Sequence, residues 1–301
     1  MAYGLAVAMV GGALAAGVRL VVSGPPDVVP VRVGSVAVGL HVDVLSAVLL
    51  GLVGCVGALV ATYAARNLVG QDRTARFGRL LLTALSALIL LVAGASLPVI
   101  AAGWTVSGLA LAALVDQPGT EGSRRASRYV RRTLLSGDAA VWLGVCCALV
   151  LLPTVNRADL AGATLPAAGS TLVAALLVVG CVVRSALVPA HSWLPETAEA
   201  PSPVSAFLHA GVVNGAGVLV SVLWALFVAA PAVLLVLLVV GAGSVAFGTL
   251  AARARMDVKG RLACSTTAQM GYMAVQLGLG LPAAAVLHLV GHGFYKAWLF
   301  L

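Results

Sequence analysis

The chain is 301 residues long, 61% apolar and only 9% charged, with 18 Lys and Arg against 10 Asp and Glu for a formal net charge of +8. Soluble chains carry about 25% charged residues, so this one lacks the polar side chains to cover a globular surface. Apolar runs of membrane-spanning length recur along most of it, which excludes a soluble enzyme with one anchor. The longest polar stretch, about Asp116 to Gly137, is too short to form an extramembrane domain.

In chain order the hydropathy predicts helices at about 2–22, 42–65, 78–96, 97–116, 138–156, 170–200 (interrupted), 203–228, 231–252, 262–280 and 283–301. The runs are continuous Leu, Val, Ala and Gly rather than the alternating segments of a β-barrel. The fold expected is therefore all-α, a polytopic membrane bundle of about ten helices in a single domain over residues 1–301. The start lacks the basic residues of a signal peptide, so the first run reads as a retained helix. The basic residues concentrate in three loops: Arg66, Arg73, Arg76 and Arg79; Arg124, Arg125, Arg128, Arg131 and Arg132; and Arg253, Arg255, Lys259 and Arg261. With this helix count all three fall on one side, which places them and the N-terminus in the cytoplasm. Topology then accounts for the net charge without a nucleic-acid partner. The five cysteines lie in or beside apolar runs without metal or redox spacing and read as small core residues.

Ionisable groups at membrane depth cost at least about 2.5–3.5 kcal/mol and mark function when they persist. Arg184, His209, His288, His292 and Lys296 all lie in apolar helical stretches. Beyond Arg184 the chain reads VVRSALVPAHSWLPETAEAPSP (182–203), in which four prolines break a helix at membrane depth. Such a break is tolerated where it is buried in protein or lines a wet cavity. Arg184, His191, Glu196 and Glu199 lie around it. His288, His292 and Lys296 follow at i, i+4 and i+8, so they stack on one helix face. The histidine pair has the spacing of a zinc-protease motif, but Leu289 stands where that motif requires Glu. A proton relay, or a satisfied structural role with His bonded to Ser or Thr across helices, remains. Asp43 and Asp138 each open an apolar run, a position that also suits a helix N-cap. No nucleophile–base pair, phosphate loop or dinucleotide-binding glycine pattern stands in a workable context, and the physical reading is a proton- or cation-conducting bundle.

The segments HSWLPETAEAPSPVSAFLHA (191–210), DVKGRLACSTTAQMGYM (257–273) and HLVGHGFYKAWLFL (288–301) resemble the antiporter-like subunits of respiratory complex I and of multisubunit sodium/proton antiporters, the family of NADH-quinone oxidoreductase subunit L. The likeness runs from about His41 onward. It implies a proton half-channel with a buried charged axis: Arg184 at the family's lysine, His209 on the following helix, and the His288/His292/Lys296 stripe beyond. Two departures stand out. Thr105 occupies the place of the glutamate that follows GW in complex I subunits, and Arg184 replaces a lysine although arginine stays charged in proteins. These, with LHAGVVNGAG (208–217), resemble the DabB-type branch of inorganic carbon transporter subunits. That likeness implies a peripheral DabA-like zinc protein as partner, with no metal or cofactor on this chain. Family members continue for several more helices, so the chain is expected to be C-terminally incomplete.

Two readings follow. In one, the chain conducts protons or cations to energise CO2/bicarbonate accumulation, through Arg184, Glu196, His209, His288, His292 and Lys296, with Asp43, Asp138, Thr105, His191, Glu199 and Lys259 as accessory groups. In the other it is a proton-pumping subunit of complex I or of an Na+/H+ antiporter, in which Asp138 is the nearby acid able to compensate for the missing glutamate. A structural scaffold that docks a partner through its basic loops is the third class, and the buried polar stripe argues against it.

Overall fold

In a computed structural model, residues 31–70 and 73–301 are described, together with scattered positions before residue 20. Most of the helix expected at 2–22 lies outside them. The rest is a bundle of α1 (Val44–Asn67), α2 (Thr74–Ala93), α3 (Leu97–Val115), α4 (Glu121–Leu151), α5 (Ala167–Arg184), α6 (Ser202–Ala210), α7 (Gly215–Val222), α8 (Pro231–Ala254), α9 (Val258–Gly278) and α10 (Pro282–Phe300). Seven segments among the described residues are long and apolar enough to cross a membrane: α1 to α5, Ser202–Val222 taken through α6 and α7, and α8. The helices α9 and α10 carry the polar residues of the stripe and its partners and fall outside that set.

Close helix approach rests on small residues, as membrane bundles require. A Cβ on Gly241 of α8 would stand 2.8 Å from the Gly271 carbonyl of α9, and one on Gly103 of α3 would stand 2.5 Å from the Ala87 carbonyl of α2.

The structure differs from the sequence expectation at four places. The polar stretch 121–137 is not a loop but the first half of α4, which Thr120 caps by accepting the Ser123 N–H at 3.1 Å. Ser123, Ala126, Val130 and Leu134 are buried at helical spacing while Arg124, Arg125, Arg128, Arg131 and Arg132 are exposed. At 31 residues α4 is roughly 46 Å long, well over the ~30 Å of a bilayer core, so its basic half can extend beyond the apolar layer.

The second difference is a break in the helix expected at 203–228. α6 ends at Ala210, a turn at Val212–Asn214 follows, and α7 begins at Gly215. Ser185 stitches the gap: its hydroxyl accepts the Ala216 N–H at 2.9 Å and donates to the Val213 carbonyl at 2.7 Å. Third, a two-stranded hairpin, β1 (Val31–Val33) and β2 (Val36–Val38), precedes α1. Asn156 accepts the Ala37 N–H at 2.8 Å and donates to the Ser35 carbonyl at 3.0 Å, which fastens the hairpin to the connection after α4. Its alternating valines do not stand out in a generally apolar sequence. Fourth, Cys146 is exposed, so it is not a core residue as Cys181 and Cys264 are.

The proline-rich break is present. After Arg184 the chain passes through short turns at Ala190–Ser192, Trp193–Glu196 and Thr197–Glu199 before α6. Its freed backbone groups find side-chain partners: the Trp193 indole donates to the Val183 carbonyl at 2.8 Å, Ser244 Oγ accepts the Val188 N–H at 2.9 Å, and Lys259 Nζ donates to the carbonyls of Ala198 and Ala200 at 3.0 and 2.7 Å. Buried backbone groups left without partners are costly, so these contacts hold the break in one shape.

Candidate functional site

Two clusters of buried polar side chains hold Arg184, His209, His292 and Lys296. The first is built around Arg184, which ends α5 with 2% of its surface exposed. Its guanidinium lies 3.1 Å from Asp138 Oδ1, donates to the Trp104 carbonyl at 2.8 Å and to Ser107 Oγ at 3.3 Å, and stands over the Trp104 ring at 4.6 Å. The Trp104 indole donates to the same Asp138 oxygen at 2.8 Å. Glycines make the room: a Cβ on Gly108 would meet the guanidinium at 2.6 Å, and one on Gly215 would meet Arg184 Cγ at 2.7 Å. A buried ion pair is tolerable only with such geometry and added hydrogen bonds.

Asp138 is thus no helix cap. It lies 17 residues inside α4, 3% exposed, and faces Arg184. Glu196, expected beside Arg184, is exposed in the turns of the proline-rich break, as is Glu199. Thr105 turns away from the cluster and accepts the Trp142 indole N–H at 3.0 Å. His191 is half-buried, and its ring lies 4.2 Å from that of Phe247 of α8, tilted by 55°.

The second cluster joins α6, α9 and α10. Lys296 is 1% exposed, and its Nζ donates to Ser265 Oγ at 2.6 Å and to the Leu262 carbonyl at 2.9 Å. No carboxylate pairs with it among the described residues. His209, 2% exposed, lies 3.0 Å from Thr266 Oγ1 through Nδ1 and stacks on Phe300 at 4.6 Å. His288 meets Gln269 Oε1 at 2.8 Å through Nε2. His292 is 5% exposed, and neither ring nitrogen has a partner among the described residues. Polar residues of α9 therefore meet both neighbours, Ser265 and Gln269 facing Lys296 and His288 of α10 and Thr266 facing His209 of α6. Sequence reasoning misses these three α9 residues as functional residues; a polar run STTAQ inside an apolar helix is the signal that marks them.

Asp43 does cap α1, accepting the Ser46 N–H at 2.7 Å. It also pairs at 2.7 Å with Arg157, a buried residue of the short turn before α5. Burial works to raise the Asp43 carboxyl, but Arg157 and the two hydrogen bonds from Ser46 outweigh it and hold the group below the usual carboxylate range. Burial, aided by Arg157, pushes His41 down, so its imidazole is neutral at neutral pH. The three residues line an open cleft with Ser221 and Trp224. Among the described residues no group of three or more His, Cys, Asp or Glu side chains could hold a metal ion.

Comparison with known proteins places this geometry. Residues 95–301 match the family described as NADH:quinone oxidoreductase/Mrp antiporter, transmembrane. A protein named "Probable inorganic carbon transporter subunit DabB1", from Halothiobacillus neapolitanus (strain ATCC 23641 / c2), is 34% identical over 273 residues, covering 87% of this chain and 48% of that protein. NADH-quinone oxidoreductase subunit L of Mycobacterium tuberculosis (strain ATCC 25618 / H37Rv) is likewise 34% identical, over 274 residues, covering 87% of this chain and 42% of that one. The chain thus spans about half the length of these relatives. Among solved structures, a chain of the archaeal membrane-bound sulfane sulfur reductase superposes with a TM-score of 0.88 at 20% identity, covering 99% of this chain and 63% of that one. A chain of the Mrp complex from Dietzia sp. DQ12-45-1b does so at 0.84 and 25% identity, covering 99% and 34%.

Proposed function

The chain belongs to the NADH:quinone oxidoreductase/Mrp antiporter family of membrane subunits, and on that premise we propose that it conducts protons or cations to energise inorganic carbon accumulation with a peripheral DabA-like zinc protein, in a cell membrane with its N-terminus in the cytoplasm. The observation that carries conduction is the buried row formed by His209 of α6 with His292 and Lys296 of α10. Three ionisable groups, His209, His292 and Lys296, are almost fully buried, and the bonded partners of His209 and Lys296 are neutral: a hydroxyl of Thr266, a hydroxyl of Ser265 and a backbone carbonyl. A neutral partner can hold a proton carrier in place without locking it in one charge state, as a carboxylate would. In this reading Asp138 takes the place beside Arg184 that Glu196 was expected to hold, and residues 1–301 act as one antiporter-like unit.

The carbon branch of the proposal rests on likeness to DabB1 and on Thr105 in the place of the complex I glutamate. Asp138 favours the second reading, a complex I or Na+/H+ antiporter subunit, because that reading needs a compensating acid and the Asp138 carboxylate bonds the indole of Trp104, the residue before Thr105. Purification from native membranes in mild detergent, with mass spectrometry and zinc quantitation, separates the two. One large zinc-containing soluble partner supports carbon accumulation; small membrane subunits with flavin or iron–sulfur proteins support the second reading. Under the first, Lys296→Ala abolishes CO2-dependent growth while the chain still inserts. Unchanged growth would remove Lys296 from the path.

A further inference from the structure

The first turns of α4 carry five exposed arginines that belong to neither buried cluster: Arg124, Arg125, Arg128, Arg131 and Arg132. At about 100° per residue they fall within a single arc of about 120° around the helix. Ser123, Ala126, Val130 and Leu134 are buried and lie across the helix from them. Two side chains on the flanks fix this rotation. Ser127 Oγ donates to the Ala112 carbonyl of α3 at 2.7 Å, and the Tyr129 hydroxyl meets Ser192 Oγ of the proline-rich break at 2.7 Å. Packing on the opposite side therefore holds the arginine face outward.

The chain does not neutralise that face. Among the described residues none of the five arginines forms an ion pair, and Arg124 donates to the Gly119 carbonyl at 2.6 and 3.1 Å. Two acids stand near the helix start: Glu121, within the same arc, and Glu199, whose carboxylate lies 3.5 Å from where a Cβ of Gly122 would stand. Set against five guanidinium groups, they leave the face basic.

The residues further along α4 indicate what covers it. The same arc continues into Leu135, Trp142, Leu143, Leu149 and Val150, all of them exposed, from 38% at Trp142 to 82% at Val150. On a membrane-spanning helix such a row lies against acyl chains. From Leu151 to Arg132 the helix rises roughly 29 Å, which matches the thickness of the apolar layer. Headgroups add about 5–8 Å on each side, a depth that takes in Arg132, Arg131 and Arg128. An acidic soluble protein would match the arginines but not the apolar row beneath them. An anionic phospholipid matches both.

We propose that this face of α4 is a binding site for anionic phospholipid, with the phosphate held by Arg128, Arg131 and Arg132 and the acyl chains laid along Leu135 to Leu149. Guanidinium groups suit the role because each offers paired N–H donors to phosphate oxygens and keeps its charge. A phosphatidylglycerol head, with its net negative charge, is preferred over phosphatidylcholine, whose choline cancels the charge of the phosphate. The inference rests on the chain spanning a membrane and not on what the chain conducts.

The test uses the full-length subunit with its native partners in nanodiscs of equal parts phosphatidylglycerol and phosphatidylcholine, one or the other carrying a photoactivatable acyl chain. Digestion and mass spectrometry then map the adducts. In the wild type, adducts on α4 are expected to favour the phosphatidylglycerol probe by about fivefold or more, since each arginine at an anionic surface contributes about that factor. Combining Arg128→Gln, Arg131→Gln and Arg132→Gln is expected to bring the two probes to parity, whereas the three corresponding lysine substitutions keep the charge and a preference. Arg253→Gln with Arg255→Gln, in a different loop, is expected to leave labelling of α4 unchanged. Equal labelling by the two probes in the wild type overturns the site, as does an undiminished preference in the glutamine variant. Absence of lipid adducts on α4, with a partner subunit cross-linked there instead, assigns the face to protein and also overturns it. The wild-type comparison decides the matter even where the glutamine variant fails to assemble.

Discussion

Asp138 and Arg184 meet at 3.1 Å across the interface of α4 and α5, with 4% and 2% of their side chains exposed. The pair is closed off from solvent, and one carboxylate oxygen receives both the guanidinium and the Trp104 indole. Arginine keeps its proton at any ordinary pH, so the role open to this pair is a fixed dipole beside the path rather than a proton donor within it.

Removing one partner of such a pair leaves a buried charge uncompensated, which costs about 3–5 kcal/mol. Asp138→Asn and Arg184→Met are each expected to be destabilised to that extent, measured by thermal unfolding in detergent. The double variant is expected to recover much of the loss. Additive losses in the double variant would show that the two side chains do not depend on one another.

Glu196 gives the contrasting case. It is exposed, and surface changes of this kind stay within about 0.5 kcal/mol. Glu196→Gln is expected to leave both stability and ion flux unchanged. A loss of flux would return Glu196 to the path.

Gly108 is expected to tolerate no side chain. The methyl of Gly108→Ala would stand 2.6 Å from the Arg184 guanidinium, and overpacking of this kind costs typically about 1–3 kcal/mol. Because the strain falls on Arg184, a melting shift is expected for Gly108→Ala in the wild-type background and a smaller one when Arg184 is already replaced by Met. Equal shifts in both backgrounds would argue for a clash elsewhere.

Acid is expected to weaken the end of the bundle where Asp43 holds Arg157. His41 is pushed below its ordinary value of 6.5, so the unfolded chain binds a proton more readily there and stability falls as the pH drops below that value. Asp43 is depressed as well; its contribution is present above the usual carboxylate range and is lost as pH falls through its lowered folded value. Both act in the same direction. In thermal unfolding against pH, His41→Gln is expected to remove the loss near neutrality, and Asp43→Asn the loss at lower pH. A wild-type profile flat down to the carboxylate range would contradict the assignment to His41.

Much of the molecule is legible in its amino-acid sequence. Composition and run length require a membrane bundle, because nothing else can hold so much apolar surface, and the four prolines after Arg184 locate the break. The cost of burying charge singles out Arg184, His209, His288, His292 and Lys296, and all but the half-buried His288 are buried. The helical period at 121–137 is harder to see, because the arginines there mask a buried face at 123, 126, 130 and 134.

Partner choice is a different matter. Asp138 and Glu196 are both acids near Arg184 in a reading of helix order, and only the packing of α4 on α5 puts one of them against the guanidinium and leaves the other exposed. The same holds for Thr105, which turns to Trp142 while its neighbour Trp104 joins the cluster. Hydropathy and periodicity say which residues enter the membrane and which face of a helix they share. They carry no information about the rotation of one helix against the next, and that rotation, set by close contacts at glycines such as Gly108 and Gly215, decides which buried groups touch.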